Sequence, residues 1–154
     1  MAKRKIVVDR KKKFSVSAGK KEVKIGEYLF DVHKFTKIHP LSSVRGLDRK
    51  ATRILWEQQV LHDIYKKEYD IRERAKRNPE LNRKLIKQKT IILYRNIAKI
   101  ANLEWRLISE FIRHRRALGL TLAEEKLLDS YRAMLEKQFR EFDNAAGRIE
   151  EELI

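Results

Sequence analysis

The chain has 154 residues, room for one ordinary domain, and carries 37 Lys and Arg against 22 Asp and Glu, a formal net charge of +15. An apolar content of 42% is too high for a wholly unfolded chain, five Gly and two Pro are too few for a turn-rich all-β protein, and no apolar run nears the ~18 residues a membrane span requires. The absence of Cys excludes disulfides, Cys-ligated zinc, iron-sulfur clusters and thiol catalysis, and few Asn and Gln beside abundant Lys, Arg, Glu and Ile suit a chain from a hot environment.

The first 13 residues, MAKRKIVVDRKKK, read as a mobile basic arm, with Lys3, Arg4, Lys5, Arg10, Lys11, Lys12 and Lys13 around a single Asp. They lack the apolar stretch and cleavage site of a secretory signal, so the chain is expected to stay in the cell that makes it. Phe14 to Ser17 and Val23 to Ile25 alternate apolar with polar residues across Ala18-Gly19-Lys20-Lys21, the pattern of a small hairpin that carries Lys20, Lys21 and Lys24. Over residues 27–39, Leu29, Val32 and Phe35 fall at helical spacing while Tyr28, Phe30 and Val32 alternate, so the period leaves helix and strand both open. His39-Pro40 disfavours helix locally, and Ser42, Ser43 and Gly46 mark a connection. The basic arm or extension thus occupies residues 1–46, and a helical bundle domain residues 47–154.

Leu47, Ala51, Ile54, Leu55, Leu61, Ile64, Tyr65 and Tyr69 predict one buried face of a helix running to about Arg77. Asn78-Pro79-Glu80 supplies an N-cap, a proline at the first helical position and an early acid for a second helix, uninterrupted by Gly or Pro through residue 118 and stopped at Gly119. Thr121 and Glu124 form the T-x-x-E capping box of a third helix, with a seam of Leu127, Leu128, Tyr131, Met134, Leu135, Phe142, Ala145 and Ile149. The expected fold is all-α: the arm, then three long antiparallel helices of about 45, 57 and 45 Å at 1.5 Å per residue. So elongated a bundle has a thin core. Packing of residues 14–40 onto it, or burial against other subunits, is therefore expected.

The positive charge is unevenly spread. Residues 1–50 hold 15 basic against 5 acidic side chains, residues 51–100 hold 13 against 6, and residues 101–154 hold 9 against 11. Self-repulsion of this kind opposes compaction and points to an external polyanion. On the second helix Lys84, Lys87, Arg95, Lys99, Arg106, Arg113 and Arg116 lie within about 60° of one line at 100° per residue, with no acid in that arc. Leu85, Leu93, Ile97, Ile100, Leu103, Leu107 and Phe111 lie opposite. A solvated helix face ordinarily mixes signs, because Glu–Lys pairs four apart stabilise it, so an acid-free row of cations suits a phosphate backbone better than water. Arg45, Arg49, Lys50 and Arg53 form a further cluster at the start of the first long helix, where cations oppose the helix dipole unless phosphates bridge to it.

Chemistry is thin beside this. His33, His39, His62 and His114 are scattered, and no HExxH, GxSxG or P-loop pattern occurs. Glu110 and His114 read as a surface pair, and Trp56 and Trp105 as core or interface anchors ahead of base-stacking platforms. No enzyme, cofactor or metal ion is expected. Without a helix-turn-helix, zinc finger or RNA-binding aromatic pair, the cations suit backbone-directed, shape-tolerant binding.

In the layout of MAKRKIVVDRKKK, the helix LDRKATRILWEQQVLHDIYKK and the stripe RNIAKIANLEWRLISEFIRHRR, the chain resembles the coat proteins of filamentous, DNA-wrapping archaeal viruses. The resemblance implies a structural protein of the virion, assembled in the host cytoplasm. Its subunits, often of two similar kinds, would wrap double-stranded DNA held in A-form and stack into a helical nucleoprotein filament, sometimes under a lipid envelope. The arm and the stripe would then form the DNA wrap. A ribosomal or chromatin-associated protein, or a helper subunit of a nucleic-acid enzyme, fits the same charge pattern.

Overall fold

The computed structural model describes the backbone of residues 15–18 and 21–24, and then residues 31–153. Ser15–Ala18 (β1) pairs antiparallel with Lys21–Lys24 (β2), Ser15 opposite Lys24 and Ala18 opposite Lys21, the hairpin that the alternation predicts. Residues 1–14, 19–20 and 25–30 of the arm lie outside the described residues. Between residues 31 and 153 the chain is 86% helical with no strand, so the fold class is all-α.

The open choice over residues 27–39 resolves into a short helix, Val32–Ile38 (α1), where Asp31 Oδ1 accepts the Lys34 amide at 3.1 Å and His39-Pro40 ends the turn. Its Phe35 ring stacks on Phe111 with centroids 4.5 Å apart, which fastens α1 to the core. A 3-10 turn at Leu41–Ser43 leads to Gly46, whose φ of +82° suits glycine, and then to Leu47–Ala75 (α2).

Arg83–Arg113 (α3) follows later in the chain than Pro79 predicts. The correction has a clear cause. Asn82 closes the preceding helix, its side-chain amide donating to the Ala75 carbonyl at 3.0 Å, so Asn78-Pro79-Glu80 belongs to the turn. The expected continuous run to residue 118 also breaks at His114, giving a separate turn of helix, Arg115–Leu118 (α4), which sets Leu118 into the core. Gly119, at φ +68°, stops it as its residue type predicts. In Leu122–Leu153 (α5) the capping box forms in full: the Thr121 amide donates to Glu124 Oε1 at 2.9 Å, and the Glu124 amide to Thr121 Oγ1 at 3.1 Å.

The long helices pack together with α3 in the middle. Lys50 reaches Glu110 and Lys89 reaches Glu68, so α2 runs antiparallel to α3; Arg115 reaches Glu125 and Lys87 reaches Glu152, so α5 does too. The flanking helices α2 and α5 make little direct contact with each other. Two apolar clusters result. One joins α1, the start of α2, residues 101–118 and the first half of α5; the other joins Tyr65, Leu93, Tyr94, Ile97, Phe142, Ala145 and Ala146. Between them Gln58, fully buried, donates to the Ile100 carbonyl at 3.2 Å and to the buried Glu104 carboxyl at 2.8 Å.

These polar residues explain where the predicted buried faces slip. On α2 the buried line passes through Gln58, His62 and Arg72, which leaves Ile64 exposed. On α5 it passes through Gln138, and Leu127 and Met134 face out. On α3, Leu93, Ile97, Ile100, Leu103, Leu107 and Phe111 are buried as expected, whereas Leu85 is not.

Candidate nucleic-acid interface

Both sides of α3 are covered by neighbouring helices, so its free surface narrows to the arc that carries the predicted cations. The structure divides that row. Arg95 turns toward α5 and is gripped by Asp143 and Glu150, while Lys87 pairs with Glu152 at 3.3 Å. Hydrogen bonds first to Asp143 and then to Glu150 raise the Arg95 pKa further above its ordinary value. These two cations therefore stitch the fold and are withdrawn from the open stripe. Arg113 lies 3.9 Å from Glu110. Lys84, Lys99, Arg106 and Arg116 are exposed, and none has a carboxylate partner among the described residues.

Lys99 and Arg106 stand seven positions apart, two helical turns, on the rim of a groove of about 440 Å³ between α3 and α2. The α3 wall is Lys99, Asn102, Leu103 and Arg106; the α2 wall is Trp56, Glu57, Val60 and Leu61. Trp56 is 62% exposed, so it is not the core anchor its residue type suggests. It shares a line of α2 with Arg49, Arg53, Val60 and Lys67, spaced at steps of three, four and seven, and this line lies off the buried one. Arg45, Arg49 and Arg53 have no carboxylate partners among the described residues, whereas Lys50 meets Glu110 at 3.3 Å. Trp105 differs from Trp56: it is half-buried, with the Arg132 guanidinium 5.9 Å over its ring.

Of the arm's predicted contacts, Lys21 and Lys24 sit on β2, and Lys3, Arg4, Lys5, Arg10, Lys11, Lys12, Lys13 and Lys20 lie outside the described residues. Glu110 and His114 do form a pair, 3.8 Å apart, with Lys50 and Arg113 on the same carboxylate.

A second polar contact has no signature in the sequence pattern. His39 is buried where the chain enters the fold, with Nδ1 2.7 Å from the Leu118 carbonyl and Nε2 2.6 Å from Glu124 Oε2. Only the imidazolium donates from both nitrogens. Burial alone pulls its pKa down, but the Glu124 carboxylate and the Leu118 carbonyl outweigh that and leave it raised; the Thr121 amide and His39 in turn hold Glu124 low. Among the described residues no cluster of His, Asp and Glu could hold a metal ion, and no helix is long and apolar enough to cross a membrane. No family model, curated protein or solved structure matches the chain.

Proposed function

We propose that the chain packages nucleic acid: it binds the phosphate backbone without sequence preference and assembles with copies of itself into a helical filament, as a filamentous-virus coat protein does. The observation that carries this reading is the set of cations Arg49, Arg53, Lys99 and Arg106, without carboxylate partners among the described residues while the chain holds an excess of 15 positive charges. Like charges left facing water oppose folding, and a polymer of phosphates turns that cost into affinity through counterion release. Double-stranded DNA, including the A-form, is the partner the virion reading expects, with a similar second subunit beside this one and lipid contact only in an enveloped particle. The basic arm would extend the wrap, and the acidic flank of α5 would face neighbouring subunits.

Mixing the purified chain with duplex DNA tests this. Long regular assemblies by electron microscopy, with the DNA resistant to nuclease, are expected. Charge reversal of Lys99 and Arg106 together should weaken binding on every sequence alike and lower the salt slope by about 0.9 for each phosphate no longer neutralised. Saturation at one copy on a single specific RNA would favour a ribosomal protein and overturn the filament.

A further inference from the structure

We infer that the groove between α2 and α3 takes unpaired nucleotides, a base lying on the exposed face of Trp56 while Lys99 and Arg106 hold the flanking phosphates. The inference rests on the backbone-binding reading above and adds to it a single-stranded mode. Three observations meet here: an indole 62% open to water, two cations on the opposite rim with no carboxylate partner among the described residues, and the exposed Asn102 between them. A large apolar ring left in water loses its burial energy, and a purine or pyrimidine ring seated between the indole and the flanking cations recovers it. A duplex offers Trp56 base edges, sugars and phosphates but no free base face, because its bases stack on each other, so the groove favours a strand whose bases are free. Glu57 is the one carboxylate on the lining, on the α2 wall beside Trp56, where it would face the base edge.

A second copy of the chain is the competing occupant. On α5, Asp143, Glu150 and Glu152 are already engaged by Arg95 and Lys87 of their own chain, while Glu141 and Glu151 are exposed, and the oligomer measurement below separates the two occupants.

Fluorescence of the full chain provides the test. A Trp105→Phe variant leaves Trp56 as the sole indole of the two in the sequence; if that variant folds poorly, the difference between wild type and Trp56→Phe reports the same signal. Oligothymidylate should quench Trp56 emission saturably, while heparin, a polyanion without bases, should bind and leave the emission unchanged. Trp56→Ala should weaken oligothymidylate binding roughly 5- to 150-fold with the salt slope unaltered, and Arg106→Ala should lower the slope by about 0.7. If heparin and duplex bind but Trp56 is not quenched and Trp56→Ala binds as wild type, the stacking mode is wrong and backbone binding stands. If no polyanion binds, both readings fall. If Trp56 emission shifts with protein concentration alone and Trp56→Ala dissociates an oligomer, a second copy fills the groove and the inference is overturned.

Discussion

The two flanks of α3 treat the same residue types in opposite ways. Toward α5, Arg95 and Lys87 find Asp143, Glu150 and Glu152, and Trp105 is capped by Arg132. Toward the open side of α2, Lys99 and Arg106 face Trp56 with no such partners among the described residues. One seam is finished within the chain, and the other has basic and aromatic groups to spare. A row of cations on a helical wheel is thus no single feature: for Arg95, the acids that decide its meaning lie 48 and 55 positions away.

The largest expected effect lies in the finished seam. Phe142 is buried to 1% exposure, with its ring edge-on to Tyr94 at 5.3 Å, so Phe142→Ala should cost about 3–5 kcal/mol in a urea melt. Trp56→Ala, on the open side, should change stability by no more than about 0.5 kcal/mol. Equal losses from the two would show that the groove belongs to the core.

Next in size is the polar layer between the two apolar clusters. Gln58→Leu removes the donor to Glu104 and to the Ile100 carbonyl in a site closed to water, which should cost about 1–3 kcal/mol despite the added apolar surface. A more stable Gln58→Leu variant would mean that the pair serves only to fix the register of α2 on α3, at a loss in stability.

The His39 latch should show itself through pH. Because its pKa is raised in the fold, its contribution is fully present below its ordinary value of 6.5 and is lost as pH rises through the higher folded value. Glu124, held low, contributes above its ordinary 4.5 and loses that contribution as pH falls through its folded value. Urea midpoints of wild type and His39→Gln should therefore differ most between about pH 5 and 6.5 and converge in alkali. A difference that stays constant from pH 5 into alkali would remove the latch.

What the sequence made legible was local chemistry. Thr121 and Glu124 form their box, Gly119 stops a helix, Leu47 begins one, and the apolar side of α3 is buried from Leu93 to Phe111, because each depends on neighbours a few residues away. What it hid depends on distant partners. Gln58 and His62 lie inside, Gln58 because Glu104 and a backbone carbonyl meet it there, whereas a face drawn through apolar residues alone takes in Leu61 and the exposed Ile64. The open side of α2 was nevertheless written in the spacing of Arg49, Arg53, Trp56 and Val60, a mixed line that no buried face would carry.

The smallest effect separates the flanks most sharply. Arg95 is about one-third exposed and its two carboxylates about half, so water and salt screen the cluster, and Arg95→Ala should cost only about 1 kcal/mol or less in stability. Its value lies in the binding comparison. Removing Arg95 frees Asp143 and Glu150, so net positive charge falls by one while no groove cation is lost. If Arg95 only stitches α3 to α5, Arg95→Ala should leave the salt slope for DNA within error of wild type, and Arg106→Ala, an identical change of charge, should lower it by about 0.9 on duplex. A slope that falls equally in both variants would mean that the field of the whole molecule, rather than the open flank, draws the polyanion.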